Sequence, residues 1–399
     1  SWGRSGLCFE TPYLALGIIT TGQKPFEGNG VLQPDWGVGA YNEELAWEET
    51  DQFDVGLDLD LFNHRLSFTF DYYYRYTDKL LGSINAPGDY NGWGSQMRNV
   101  AAVSNAGVEF MVKYEILRSD DLYWKVSVNG ARNWNRYEKS YDGKDDRWYN
   151  RVLGKSLNGL KAYKTEGYLD SQDELPIYYN SAGMGSYLSH NGQAARFYQP
   201  GALKIVDVNG DGRVDHNDRV YAGSALPTLY GGIVNEFKWK GFDLNMLFSY
   251  QLGRHMYNTM PGTAISPMGG GSLFHPLLIS EKDLSFWEKP GDHDAKYPRL
   301  QVERYSLYPT DGGAMIDRYV EKVNWMKLKT VTVGYRLPQA WVNKMGVNEL
   351  RFFVSGENLF TITNYSGLDP ETVDISRGID DGMNYPLARK YTIGLTLKF

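Results

Sequence analysis

What most constrains this chain is an alternation, first of residues and then of connections. From Phe53 the odd positions read Phe53, Val55, Leu57, Leu59 and Leu61, and the even ones Asp54, Gly56, Asp58 and Asp60. A period of two puts one set on each face of a β-strand. A turn at Asn63-His64 leads to Leu66, Phe68, Phe70, Tyr72 and Tyr74, set against Arg65, Ser67, Thr69, Asp71 and Tyr73. The pattern returns over residues 108–116, 122–128, 230–239, 242–250, 331–337, 350–354 and 391–399, and a weaker strand is predicted around residues 2–9. The connections alternate too. Short ones fall at Asn63-His64, 117–121, Lys240-Gly241 and 338–348; long ones run up to Trp47 and over 78–104, 137–227, 253–322 and 361–388. In an antiparallel meander this sends every long connection off the same end.

That arrangement matches an antiparallel transmembrane β-barrel, with short periplasmic turns and long extracellular loops. Strands of about ten residues suit a tilted crossing of the bilayer. Connections this long are foreign to a compact soluble sandwich, whose loops are usually about 2–6 residues. Aromatic side chains gather at strand ends: Tyr72, Tyr73, Tyr74 and Tyr76, then Trp124 and Trp134, then Trp239 and Phe242. Tyr and Trp collect where apolar matrix meets water. The alternative is a soluble, secreted, calcium-dependent β-rich carbohydrate-binding module. It would need the same aromatic faces buried in a sandwich.

Composition narrows the class further. A net charge of −7 offers no basic face for nucleic acid. No apolar run is long enough for a membrane helix, which leaves a barrel open. Cys8 is the single cysteine, so neither an internal disulfide nor a cysteine metal site is available. No Ser/His/Asp or Cys/His arrangement suggests catalysis, and an enzyme is not expected. Gly154-Lys155-Ser156 lacks the upstream glycine of a phosphate loop, because Tyr149 stands there. Glu48-Glu49 and Asp380-Asp381 are acidic pairs, but glycosidase carboxylates must flank a cleft at a set separation. Asp292-His293-Asp294 reads as a solvated turn. The chain opens at Ser1 without a Met or a signal peptide, and it is expected to be a fragment whose missing part lies before Ser1.

The sharpest chemical signal is residues 207–218. Asp207, Asn209, Asp211, Asp215 and Asp218 place side-chain oxygens at the first, third, fifth, ninth and twelfth positions of a calcium-type loop. Gly212 takes the sixth, where a sharp turn is needed, and Arg213 at the seventh would offer its backbone carbonyl. Both flanks read as extended, so no helix-loop-helix sensor is predicted. Asp218 is shorter than the usual Glu, which points to modest affinity. The expected role is a structural calcium that stiffens an outward loop. Trp148, Tyr149, Tyr163, Tyr168, Tyr178, Tyr179, Tyr187 and Tyr198 lie in the same long connection. They are open to two roles, ligand contact or packing of the loops.

Several motifs, in order, resemble the SusC/RagA-type TonB-dependent outer-membrane transporters of Bacteroidetes. They include Trp47-Glu48-Glu49-Thr50, Asp71-Tyr72-Tyr73-Tyr74-Arg75, Asn105-Ala106-Gly107-Val108-Glu109, and Asp207-Val208-Asn209-Gly210-Asp211-Gly212. Lys296-Tyr297-Pro298-Arg299-Leu300 and Val333-Gly334-Tyr335-Arg336-Leu337-Pro338 follow. The run closes with Ser355-Gly356-Glu357-Asn358-Leu359-Phe360, Gly367-Leu368-Asp369-Pro370-Glu371 and a last strand ending in Phe399. The resemblance implies that residues 1–399 are the C-terminal part of a barrel of about 22 strands, roughly its last ten. The plug and first strands would be absent. Residues 137–226, which carry the calcium-type motif, and 254–323 would then be long extracellular loops. It also implies a Gram-negative outer-membrane location and uptake of glycans (oligosaccharides) or peptides. The implied partners are a SusD-like surface lipoprotein acting as a lid and the TonB complex, which acts through the missing N-terminal part.

Overall fold

A computed structural model of the chain describes residues 1–7, 42, 44–85, 95–145, 151–171, 174, 177–179, 185–187, 200–211, 216–260, 285–299 and 315–399. The chain divides into two compact units, residues 1–114 with 129–157, and residues 115–128 with 158–399.

In the first unit, β1 (Trp2–Leu7), β2 (Glu48–Leu61), β3 (Leu66–Asn85) and β4 (Ser95–Arg118) lie side by side in that order, each pair antiparallel. The register carries the sequence alternation across the sheet. Phe53 faces Tyr74, Val55 faces Tyr72 and Leu57 faces Phe70, while Asp54 faces Tyr73, Gly56 faces Asp71 and Asp58 faces Thr69. The next pairing continues both rows, with Phe70 beside Phe110 and Asp71 beside Glu109. One face is therefore apolar over successive strands and the other polar. Tyr73 departs from the expected aromatic grouping. It lies on the polar face, opposite Gly107, where a Cβ would stand 2.3 Å from its ring.

β5 (Leu122–Lys139) follows, and the second unit continues with β6 (Gly159–Tyr163), β7 (Thr165–Tyr168), β8 (Ile177–Tyr179), β9 (Gly185–Tyr187) and β10 (Leu203–Ile205). After a 3-10 turn at His216–Asp218 come β11 (Arg219–Ser224), β12 (Leu229–Trp239), β13 (Phe242–Asn258) and β14 (Met315–Ile316). The last elements are β15 (Val320–Arg336), the helix α1 (Gln339–Lys344), β16 (Glu349–Thr363), β17 (Ile379–Asp380) and β18 (Lys390–Lys398). β12-β13-β15-β16-β18 form an antiparallel run. The β12–β13 turn is the predicted Lys240-Gly241, with φ of 44° and 89°. Two left-handed residues make the tight hairpin turn whose twist suits paired strands.

In both units the apolar faces of these strands are open. Phe53, Val55, Leu57, Leu59 and Leu61 on β2 are exposed, as are Phe352 and Val354 on β16 and Tyr391, Ile393 and Leu395 on β18. Ile393 is 85% exposed. Rows of large apolar side chains this extensive mark a surface whose solvent is not water. They also remove the soluble alternative, which needed these faces buried in a sandwich.

The strands outrun the apolar alternation on the long-connection side. β3 reaches Asn85 and β4 starts at Ser95, inside a segment expected to be a loop over 78–104. β13 runs to Asn258 and β15 begins at Val320. Beyond the apolar band neither face has to be oily, so the sheet continues with a polar sequence that periodicity cannot register. At the opposite end, α1 interrupts the short connection 338–348.

Candidate functional site

The long connections of the second unit fold into a small body with its own interior. β11, β6 and β14 make one three-stranded sheet, and β7 pairs with β10. Between them Tyr163, Tyr168, Leu169, Leu203, Ile205, Trp287, Ile316 and Tyr319 bury one another. This settles two of the open aromatic residues. Tyr163 and Tyr168 are core, not ligand platforms. The Tyr168 hydroxyl donates to the Ala295 carbonyl at 3.0 Å, the Arg318 guanidinium lies 5.2 Å over its ring, and burial pushes its phenol pKa up. Backbones of Tyr178, Tyr179 and Tyr187 are strand, but their side chains, and all of Trp148, Tyr149 and Tyr198, lie outside the described residues.

The Lys296-Tyr297-Pro298-Arg299 motif works inside this body. Tyr297 is buried and exchanges backbone hydrogen bonds with Ser285 and Trp287, and the Arg299 N–H donates to Gly201 at 3.0 Å. Gly201 has a φ of +90° and lies where a Cβ would strike the Trp287 ring at 2.5 Å, so the close approach requires glycine. Asp292-His293-Asp294 is a turn tied to Asp170, whose carboxylate accepts from the Gly291 N–H and faces the exposed His293 ring.

The calcium-type loop joins β10 to β11. Asp218, its last position, is fully buried, and its Oδ1 accepts from the N–H groups of Val208 at 2.9 Å and Asn209 at 3.3 Å. This closes the two ends of the loop on each other. Asp207 Oδ1 accepts from the Gly210 N–H at 2.7 Å, and Asn209 Oδ1 from the Asp211 N–H at 2.9 Å. Asn209 also donates its side-chain amide to Asp211 at 3.1 Å. Arg213 and Asp215 lie outside the described residues. The oxygen-rich donor set fits a hard cation. Among the described residues, no three His, Cys, Asp or Glu side chains converge as a metal cluster. Nearby, Glu174 accepts from Lys204 and from the Asp170 and Ser171 N–H groups, which hold its carboxyl below the usual range.

A second assembly fastens the segment after β16, and sequence reasoning missed it. Lys327 on β15 is buried, 2.8 Å from Asp369 and 2.7 Å from Glu371, and Lys329 reaches Glu371 at 2.7 Å. Asp369 also accepts from the N–H groups of Glu371 and Leu387. The Gly367-Leu368-Asp369-Pro370-Glu371 motif thus supplies the acids of a buried ion network. On β13, Arg254 is buried and donates to the carbonyls of Pro370, Val373 and Asp374. Glu321 accepts from Ser366 and Asn258. Tyr365 donates to Asp380 at 2.5 Å, and its phenol pKa is driven far above the usual range, first by burial and then by that carboxylate. Alternate polar positions on β13 and β15 hold these groups. The available signal was a pair of lysines two residues apart on one strand, Lys327 and Lys329, set among the apolar Trp325, Met326 and Leu328.

The acidic pairs do not form a cleft. Glu49 pairs with Lys79 at 2.6 Å and Glu48 accepts from the Leu81 N–H, both within the β2–β3 ladder. Asp380 is taken by Tyr365. Gly154-Lys155-Ser156 is a turn bonded to Tyr137 through Gly154 and Lys155. On the polar faces, Gln52, Asp54, Tyr73, Arg75, Asn105 and Asn133 line a concavity of about 480 Å³ in the first unit. In the second unit another, of about 440 Å³, lies at the short-turn end beside the Arg351–Asp243 pair. Among the described residues, the polar contacts reported above fasten strands and loops to one another.

Residues 11–264 match the family described as TonB dependent receptor-like, beta-barrel. The chain is 30% identical over 385 residues to TonB-dependent receptor P3 of Formosa agariphila, covering 93% of this chain and 36% of that protein. It is 26% identical over 367 residues to TonB-dependent receptor SusC of Bacteroides thetaiotaomicron, covering 90% of this chain and 33% of that one. Among solved structures it resembles the RagAB peptide transporter, with a TM-score of 0.67, 23% identity, and 100% of this chain aligned to 40% of that one. The chain therefore spans about a third of the length of these curated relatives.

Proposed function

This chain belongs to the TonB dependent receptor-like β-barrel family, and from that membership we propose that it forms wall and outward loops of an outer-membrane nutrient importer. The cargo is an oligosaccharide or a peptide, taken from a SusD-like surface lipoprotein and moved at the expense of TonB. The observation that carries this reading is the split character of each strand. Large apolar side chains stand open on one face, as from Phe53 to Leu61, while the other face is a ladder of polar residues. A wall between lipid and an aqueous path needs that division. The long connections add a folded body at one end, which offers a built surface for a lid protein.

The chemistry asked of this wall is recognition and passage, with no bond made or broken. The 207–218 loop is assigned a structural calcium held by Asp207, Asn209, Asp211, Asp215 and Asp218 with the Arg213 carbonyl. Its support is the ligand spacing and the loop closure at Asp218. A calcium there would supply charge that binds the acidic side chains together. A site of this kind outside the cell works at a Kd of about 10⁻⁴–10⁻³ M.

The test is uptake by cells carrying or lacking the native-length gene, in backgrounds with and without TonB. Accumulation of labelled oligosaccharides or peptides is expected to need both, and a lipoprotein lid is expected to co-purify in detergent. Uptake indifferent to TonB, or a folded monodisperse protein in detergent-free buffer, contradicts the proposal.

A further inference from the structure

The short helix α1 joins β15 to β16 and lies close to β16. On β16, Leu350, Phe352 and Val354 share one face by strand period, and β18 continues that face through Leu397, Leu395 and Ile393. Phe352 and Val354 are 47% and 53% exposed, whereas Leu350 on the same face is 6% exposed. Something covers Leu350. The element that follows β15 and packs on β16 is α1, and Val342, its one buried residue, is 1% exposed. Val342 and Leu350 are thus buried in neighbouring elements, and a helix laid on the apolar face of β16 at its short-turn end accounts for both.

Its remaining side chains sort by direction. At 100° per residue, Trp341 and Met345 fall within about 40° of each other and form one ridge. Both are strongly exposed, at 62% and 60%. Gln339 and Asn343 fall on the opposite side, bonded to each other at 2.7 Å, and Gln339 also donates to the Asn348 carbonyl. Lys344 closes the last turn. A helix seated sideways on a lipid-facing wall, with an apolar ridge on one flank and amides on the other, has a defined place. The ridge meets acyl chains and the amides meet water, with Trp at the boundary.

We propose that α1 is an interfacial anchor, and that the occupant of its Trp341–Met345 ridge is the phospholipid of the leaflet at the short-turn side. The inference rests on the membrane reading above. It is favoured over a protein partner by the shared character of the neighbouring surface: the ridge is apolar and exposed, as are Phe352 and Val354 on the adjacent β16 and Ile393 and Leu395 on β18. The helix would fix how deep the wall sits at that end, a task bare hairpin turns leave to scattered aromatics.

The test is collision with oxygen and a water-soluble nickel chelate at single spin labels, in native-length protein reconstituted in phosphatidylethanolamine/phosphatidylglycerol vesicles. Labels replace Met345→Cys, Asn343→Cys and Val354→Cys in a background with Cys8→Ser and any other cysteines removed. Oxygen is expected to dominate at 345 and 354, and the nickel chelate at 343. Depth at 345 should fall about 5–10 Å inside the boundary. Nickel access at 345 equal to that at 343 overturns the anchor, as does shielding from both reagents, which would mean a protein cover. If 354 is also open to nickel, the membrane reading itself fails. Should Met345→Cys not fold, Trp341→Cys carries the same comparison.

Discussion

The second unit holds two bodies built by opposite rules. In the strand wall, large apolar residues such as Val354 and Ile393 are open and the polar ones lie on the opposite face. In the loop body, Tyr163, Leu169 and Trp287 are closed off in an ordinary core. One chain thus answers to two solvents, and the residue type alone does not reveal which. What decides is the connection pattern, since only the wall strands are linked by alternating short and long segments.

The comparison can be broken from either side. Trp287→Ala should have the largest effect, about 3–5 kcal/mol on the loop body, because it empties a dry core. Limited proteolysis should then cut within the loop body while the wall strands stay protected. Lys327→Ala should cost a similar 3–5 kcal/mol by leaving Asp369 buried without its counter-charge, while Glu371 keeps Lys329. Its readout is release of the 364–389 segment in hydrogen exchange. Val354→Arg tests the wall, at about 2–4 kcal/mol if that face meets lipid, with Val354→Ala nearly silent. Equal costs for the two would contradict the lipid assignment.

Asp218→Ala should cost about 1–3 kcal/mol locally by orphaning the Val208 and Asn209 N–H groups. Chelators should add protease sensitivity between 206 and 219 in the parent, and Asp211→Ala should mimic them and weaken lid association. Unchanged protection in both settings would sink the calcium assignment. The smallest effect is a pH dependence. Tyr365 has its pKa raised in the folded chain, so its stabilisation is full below the unfolded value of about 10 and is lost as pH climbs past it. The 365–382 segment should open at alkaline pH, and Tyr365→Phe should remove that dependence.

How much of this could be read in advance follows from the same contrast. Paired strands with one lipid face, such as β2–β3 and β12–β13, announce themselves through a period of two and a tight turn. Their pairing matches the expectation down to Lys240-Gly241. The upper reaches of β3, β4, β13 and β15 do not, because polar sheet beyond the apolar band has no period to detect. The loop body was illegible for another reason. Its strands are two to six residues long, and its core joins Tyr168, Trp287 and Tyr319 across large separations. Lys327 could be noticed as a strand lysine, but its partners come from forty residues away. The helix α1 is too short for a periodic signal. It becomes visible through Leu350, whose burial breaks the rule its neighbours keep.

The central claim is that one chain faces two solvents, and footprinting in a bilayer tests it most directly. A lipid-soluble carbene precursor and aqueous hydroxyl radicals are applied to the native-length protein in vesicles, with modified residues located by mass spectrometry. The expected result is carbene labelling of Phe352, Val354, Ile393 and Leu395, with Tyr163, Leu169 and Trp287 protected from both reagents. Hydroxyl-radical labelling of the four wall residues in folded protein, with no carbene signal, would contradict it.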